Sequence, residues 1–596
     1  MPAVYLNQVF ARAERAFAGG RLDEARADLR EVQVLSGDHP TVLHLLALVE
    51  KKRGAKEEAR KAFVRAVAVA PTDPEIRTNY ANLLADLGEL EEALAQYDQA
   101  LTTSPLFQAA QYNKALLLQR QGRSEEALGY LDVLAGVSPH DATIQSARGI
   151  ALRTLGRIHD AAEAFDRALR EEPGRPAALH GRARVAMERG EPGASARFMT
   201  ALKERPGEPE LVLGLAEALE AEGDASGIAV LKDVVANSPE WVLGHEVLAR
   251  MRAEAGETAG FADHYRLSLQ SQPGNGALHQ SYWQTLAKAQ RQEEALEALQ
   301  RAKAVIGESL PMLMAEAILS SETGDQKTAS ALFDRLEDDG LDGPDLWFER
   351  GRAALRINDA ERAAALLEKV VEADSNSIGG WAHLDLAWRL AGDERHHWLS
   401  GQPGLHGTCD LGLADRELHE LRDLLRAFHR TRAHPIGQSL RGGTQTRGRL
   451  FWRTEPAIKQ LHDAITAAVE AHFEHLPPQD HRHPLLRHRE SRVSVEGSWS
   501  VRLTGHGFHV NHIHPQGILS SACYISVPTS LGSGDGREGW LELGRPPAEL
   551  GLPIEPLAQV EPRPGRLVLF PSYLFHGTRP FPAGERLSVA FDVVAR

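Results

Sequence analysis

The 596-residue sequence predicts two architectures in series: an all-α solenoid of stacked helical hairpins, then a jelly-roll β-structure with flanking helices. Three observations predict this. Turn residues recur every 33 or 34 positions over the first two-thirds of the chain. That register fails after Gly392, where glycine, proline and histidine replace an Ala/Leu-rich pattern. From Ser491 onward, short runs rich in Val, Ile, Leu and aromatic residues are bounded by Gly and Pro. A chain this long exceeds what one hydrophobic core supports, so at least two domains are expected. The boundaries read as 1–395 and 396–596, with the β-core at about 491–596.

The repeat is carried by Gly20, Gly54, Gly88, Gly122, Gly156, Gly190, Gly223, Gly256, Gln290, Gly324, Asn358 and Gly392. Pro71, Pro105, Pro139, Pro173, Pro206, Pro239 and Pro273 keep the same step about halfway between them. Two punctuation marks per period imply two short helices per period: glycine or asparagine closes one in a left-handed conformation, and proline cannot continue the other. Small and aromatic residues recur in register, as Ala59, Phe63 and Ala66, then Ala93, Tyr97 and Ala100, then Ala161, Phe165 and Ala168. Spacings of four and three put each set on one helix face. This pattern resembles the tetratricopeptide repeat over residues 5 to 395. The resemblance implies a superhelix whose concave face holds a peptide or protein. The registers at Gly223 and Gly256 depart from it, with Ile228 and Phe261 where alanine is expected, so a kink or looser packing is expected there.

The bulk numbers exclude other classes. A net charge of −15 is the wrong sign for general nucleic-acid binding, which releases counterions through a basic surface. Two cysteines, Cys409 and Cys523, provide neither a disulfide framework nor a zinc ribbon. The start has no apolar run typical of a signal peptide, and no stretch approaches the roughly 18 apolar residues of a membrane span. The expected location is the cytoplasm, with no nucleic-acid or membrane partner.

In the second part, leucines and Phe428 at helical spacing predict a helix over Asp415 to Arg432, and Ile458, Leu461, Ile465, Val469 and Phe473 predict another over Glu455 to Leu476. The runs RVSVEGSWSVRLT, ILSSACYISVP, GWLELG, RLVLFP and RLSVAFDVVA predict the strands of a sandwich or barrel.

Three features on this β-core carry chemistry. His512 and His514 are two apart, so an extended segment projects both from one face. His576 follows a strand near the C-terminus, and Arg586 and Ser588 lie on the last strand. A non-haem iron centre takes three protein ligands on one face of an octahedron and leaves positions for a cosubstrate and oxygen. An arginine with a hydroxyl two residues on makes a charged, hydrogen-bonded seat for a carboxylate.

The segments Gly565–Pro571, His576 and Glu585–Phe591 resemble the closing half of the Fe(II)/2-oxoglutarate oxygenase core, a double-stranded β-helix. Residues 395 to 596 resemble, more narrowly, a group of bacterial oxygenases that follow tetratricopeptide repeats, including the stretch Pro435–Thr446 before the core. The resemblance implies His512 and His576 as iron ligands, with Arg586 binding the distal carboxylate of 2-oxoglutarate and Ser588 assisting. The family usually has Asp or Glu two positions after the first histidine, where this chain has His514. Either His514 completes a three-histidine site, which is the favoured reading, or iron has two protein ligands and an extra water. A neutral third ligand would leave the centre more positive. Tyr524 is expected against 2-oxoglutarate and Trp499 in the core, while Arg502 falls on a flanking strand. Arg441-Gly442-Gly443 reads as a tight turn lining the cleft. His506 and His509 are placed near the site or on the surface, and His396, His397, His481, His483 and His488 in loops or solvent.

The expected activity is dioxygenase chemistry with Fe(II), 2-oxoglutarate and O2, hydroxylating a peptide or protein brought by the repeats in preference to a small metabolite. Three rivals remain at this stage. They are a three-histidine dioxygenase without 2-oxoglutarate, an interaction scaffold with an inactive jelly roll, and a zinc hydrolase, which lacks its HExxH motif.

Overall fold

The computed structural model describes residues 2–529, 531 and 536–596. Paired antiparallel helices run from Pro2–Ala18 to Ile378–Ala391. Every turn residue of the 33–34 series, Gln290 and Asn358 included, adopts positive φ, from 61° at those two to 98° at Gly256. The periodicity therefore marks left-handed helix ends. At Gly88, Gly223 and Gly392 the cap N–H closes on a carbonyl of the preceding turn. Within the repeats an acid on one helix reaches a base sixteen residues on: Asp98 to Lys114 at 2.5 Å, Asp132 to Arg148 at 2.6 Å, Asp166 to Arg182 at 2.8 Å. These pairs are partly solvated and set orientation more than stability.

The chain divides into two compact units, Met1–Ala186 with Arg197–Pro206, and Met187–Ala196 with Gly207–Arg596. The repeats after residue 207 thus belong to the same compact body as the β-structure.

The irregular registers differ from the looser packing expected of them. The close-packing role falls to Gly227, one position before Ile228; a Cβ there would stand 2.5 Å from the Ala216 carbonyl oxygen. The helix after Phe261 shortens to Asp263–Ser271, yet Phe261 is buried in a cluster with Tyr265, Tyr282 and Trp283.

The C-terminal part forms two antiparallel sheets, the arrangement of a jelly roll. Its strands are β1 (Gly407–Asp410), β2 (Leu440–Gln445), β3 (Val493–His509), β4 (Leu519–Ser526), β5 (Leu541–Leu543), β6 (Ala558–Val560), β7 (Arg566–Pro571), β8 (His576–Thr578) and β9 (Arg586–Ala595). One sheet has the order β1-β7-β4-β9-β3-β2 and the other β6-β5-β8. The five strand-like runs of the sequence all become strands, whereas β1, β2, β6 and β8 are short and carry little pattern of their own. The Arg441-Gly442-Gly443 segment is not a tight turn but part of β2; the register shifts there, with Gly442 at φ +69° close to Gly507. The predicted helices form as Asp415–Phe428 and Pro456–His475.

Two features tie the later repeats to the β-structure. One hydrophobic core includes Leu355, Leu367, Trp381, Leu384 and Trp388 of the last repeats together with Leu567, Tyr573, Phe575 and Phe591. In addition, arginines beyond the first predicted helix meet successive helix C-termini of the repeats. Arg430 donates to the Glu222 carbonyl at 2.5 Å. The Arg432 and Ala433 N–H groups donate to the Glu254 carbonyl at 2.9 and 3.0 Å. Arg447 pairs with Glu220 and, at 2.6 Å, with the fully buried Glu254. Arg453 lies against the Gly190 turn, where a Cβ would collide with its guanidinium. Helix C-termini expose unpaired carbonyls and partial negative charge, so cations are favoured there. The first helix stops at Phe428, short of the predicted Arg432, and the residues beyond it contact the repeats through the Arg430 side chain and the Arg432 backbone N–H.

Candidate metal centre

His512 and His576 face each other across an antiparallel bridge, each N–H donating to the other's carbonyl at 3.0 and 2.9 Å. Backbone pairing therefore joins two residues far apart in sequence. His514 lies two residues along from His512, and one nitrogen from each of the three rings falls within 4.8 Å of the others.

The hydrogen bonds fix which nitrogen faces inward. Nδ1 of His512 sits 2.9 Å from the Val510 carbonyl, and Nδ1 of His576 sits 3.1 Å from the Leu574 carbonyl. Nδ1 of His514 sits 2.5 Å from Asp592 Oδ1. Carbonyls and carboxylates only accept, so each Nδ1 carries a proton, and Nε2 is the nitrogen that a neutral ring turns inward. The Nε2 atoms of His512 and His514 are 3.1 Å apart. Burial, reinforced by the neighbouring imidazoles, pushes His512 down to about 3 and His576 well below the ordinary histidine range. Both are thus neutral at pH 7, the form in which imidazole binds metal. Ser439, just before β2, lies 3.1 Å from His512 Nε2 and 3.0 Å from His509 Nδ1. His509 stacks on His512 with ring centres 5.8 Å apart, whereas His506 is exposed.

Arg586 faces the same cavity and is only 2% exposed. Its Nη1 donates to the Gly539 carbonyl at 3.0 Å and its Nη2 to Thr578 Oγ1 at 3.2 Å. Its Nε and the Tyr524 hydroxyl are buried and bond to no protein group among the described residues. A buried guanidinium costs several kcal/mol unless a counter-charge meets it, and among the described residues no carboxylate acts on this one. The orphaned donors, with Ser588 and Thr578 on the cavity wall, fit the free carboxylate of a ligand. Three converging imidazoles beside them fit a divalent metal of borderline softness.

Other residues fall elsewhere. Trp499 packs against the cluster of Leu440, Val501, Leu503 and Phe581 and also lines the cavity. Arg502 pairs with Glu585 at 2.6 Å and does not line it. His483 is fully buried, not solvated: its Nε2 meets the Leu399 carbonyl and its Nδ1 accepts from the Leu485 and Leu486 N–H groups. Sequence reasoning missed Ser439, Gln445 and Asp592. The lone acid within the apolar run RLSVAFDVVA was the one available signal for Asp592.

A second cavity, of about 630 Å3, lies between the later repeats and the β-structure. Its walls include Gly190, Ala218, Ala221 and Glu222 on one side and Phe428, Arg447, Leu450 and Trp452 on the other. Gln445 lines both this cavity and the histidine cavity.

Comparison with known proteins agrees with this geometry. Residues 497–592 match the family described as "Putative 2OG-Fe(II) oxygenase". Residues 76–181 match the N-terminal tetratricopeptide region of Psidin, and residues 315–378 match a tetratricopeptide-repeat family. The chain thus matches tetratricopeptide-repeat families in its first two-thirds and that oxygenase family near its C-terminal end. No curated protein matches it. Among solved structures, a tetratricopeptide repeat protein from Parabacteroides merdae is 19% identical over 41% of this chain and 97% of its own, with a TM-score of 0.34. MamA from Desulfovibrio magneticus is 21% identical over 29% of this chain and 98% of its own, with a TM-score of 0.27. YrrB, a repeat protein with an unusual peptide-binding site, is 20% identical over 31% of this chain and 96% of its own, with a TM-score of 0.28. Among the described residues no helix is long and apolar enough to cross a membrane.

Proposed function

We propose that the chain is an Fe(II)- and 2-oxoglutarate-dependent oxygenase that hydroxylates a peptide or protein. In this reading residues 1–395 are the repeat array and 396–596 the oxygenase domain. His512, His514 and His576 hold iron through Nε2, and Arg586 holds the distal carboxylate of 2-oxoglutarate, with Ser588 and Tyr524 beside it. The observation that carries the reading is the buried guanidinium of Arg586, with an orphaned Nε, in the same cavity as three converging imidazoles. Arg586 also speaks against a three-histidine dioxygenase that does without 2-oxoglutarate.

When bound, iron and 2-oxoglutarate supply oxidation by O2 coupled to loss of carbon dioxide and formation of succinate. The chain supplies position. Carbonyl and carboxylate acceptors behind the rings fix each imidazole's tautomer and angle. Arg586, anchored through Gly539 and Thr578, presents Nε to one end of a dicarboxylate. Tyr524 and Trp499 narrow the cavity and limit water.

A peptide is favoured over a small metabolite because Gln445 forms a wall common to the histidine cavity and the larger cavity against the repeats. A segment held there has a short way to the histidines. Apart from Arg586, no Lys, Asp, Glu or second Arg among the described residues lines the histidine cavity, which favours an uncharged target side chain.

The test is anaerobic titration of the purified chain with Fe(II) and 2-oxoglutarate, followed by succinate measurement on admitting air. Saturable binding of both and release of succinate are expected; a chain that binds neither is not an oxygenase. Peptide products are then searched for a gain of one oxygen.

A further inference from the structure

We propose that Asp592 is the acidic member of the metal centre, acting through His514 as a positioning residue. The inference rests on the metal-binding reading above and concerns what stands behind the third imidazole. His512 and His576 present Nδ1 to neutral carbonyls. His514 alone presents Nδ1 to a carboxylate, Asp592 Oδ1, at 2.5 Å.

The surroundings are built to hold that carboxylate. Asp592 stands on β9, paired across the sheet with Ser520 of β4. Ser520 Oγ lies 3.1 Å from Asp592 Oδ1 and 2.8 Å from Ser572 Oγ. Gly517 leaves room for this group: a Cβ there would stand 2.9 Å from Ser572 Oγ and 3.2 Å from the Asp592 Cβ. The Trp499 ring packs near His514, with centres 5.5 Å apart, and the His514 and Asp592 side chains are 12% and 17% exposed. A carboxyl group so enclosed needs hydrogen-bond partners, and the nearer of the two it faces is the Nδ1–H of His514.

Charge balance gives the arrangement its purpose. A divalent ion, a doubly ionised 2-oxoglutarate and the Arg586 guanidinium sum to one positive charge in an enclosed cavity. No acid stands among the three imidazoles, and the Asp592 carboxylate supplies a balancing negative charge one hydrogen bond further out. A carboxylate behind a ligand imidazole fixes its tautomer and raises its basicity, and losing such a partner lowers metal affinity by about 10–100-fold. The centre is therefore less positive than three neutral imidazoles alone would make it.

The test compares wild type, Asp592→Asn and a double variant as full-length proteins, with Co(II) as the metal probe. It is read by the dissociation constant and by the visible ligand-field bands, which respond to ligand basicity. Asp592→Asn keeps the shape and removes the charge. It is expected to weaken Co(II) binding by about 10–100-fold and to shift the bands, while the melting temperature of the metal-free protein holds. The double variant His514→Asp/Asp592→Asn returns one carboxylate to the pair and is expected to bind within about threefold of wild type. That arm decides the question even if Asp592→Asn alone folds poorly. An Asp592→Asn protein with wild-type affinity and bands overturns the proposal, and so does a double variant that recovers no affinity. A wild-type chain that binds no Co(II) removes the metal centre itself, and the proposal with it.

Discussion

Arg586 is the residue whose environment is hardest to explain without a ligand. It is buried, keeps an orphaned Nε, and has no carboxylate partner among the described residues. Arg586→Ala should weaken 2-oxoglutarate binding by about 10–100-fold, the weight of a charge-assisted bond, and leave metal affinity unchanged. Anaerobic calorimetry with and without 2-oxoglutarate separates the two. Equal loss of both would mean that the residue maintains the fold and does not seat the cosubstrate. His576→Ala should abolish metal binding outright, since it removes the most buried of the three donors. At this scale the sequence was informative where spacing alone brings groups together, as for His512 and His514. It was silent on Ser439 and Asp592, which reach the rings only through the pairing of β2 with β3 and of β9 with β4.

At the scale of elements, the segment around β2 links the site to the repeats. Ser439 at its start touches His512, and Arg447 just beyond its end pairs with Glu220 and Glu254 on two successive repeats. Arg447→Ala would strand the buried Glu254 carboxylate with Arg250 at 3.6 Å as its remaining partner. A loss on the order of 3 kcal/mol is expected, seen as a lower melting transition and faster proteolysis near residue 447. An unchanged transition would show that the pair adds nothing. The buried elements also fix an acid limit. Burial holds His483 down to about 4, as it does His429 and His472. In the unfolded chain these rings take protons below about 6.5, so between pH 6.5 and 4 the unfolded state binds more protons. Their contribution to stability is complete above about pH 6.5 and is lost as pH falls towards 4. Melting curves across that window should drop steeply, and His483→Gln should shallow the slope.

Across the whole molecule, a change of fold class near residue 395 does not coincide with a change of packing. The last repeats and the β-structure share one core that runs from Leu355 to Val593. A fragment of residues 396–596 should therefore expose Trp-contacting surface and aggregate, judged by light scattering and loss of near-ultraviolet dichroism. A chain lacking residues 1–186 keeps the second compact unit whole and should retain metal and 2-oxoglutarate binding. If the 396–596 fragment is folded and monomeric, the shared core is dispensable. Within the second unit, the turns at Gly190, Gly223 and Gly256 are occupied by the chain's own arginines or their neighbours.

The sequence by itself determined whatever depends on local geometry. Positive φ at each repeat turn, helices from Asp415 and Pro456, five strands, and the short-range pair His512/His514 all follow from spacing, because helix and strand periods are properties of a few consecutive residues. Only the tertiary structure decided what distant segments do to one another. It brought His576 opposite His512, set Asp592 behind His514, turned a Gly-Gly stretch into a bulged edge strand, and placed arginines on the repeats' helix ends. Those contacts depend on strand register and on which unpaired carbonyls and charges are buried together, and neither is written in any single stretch of chain.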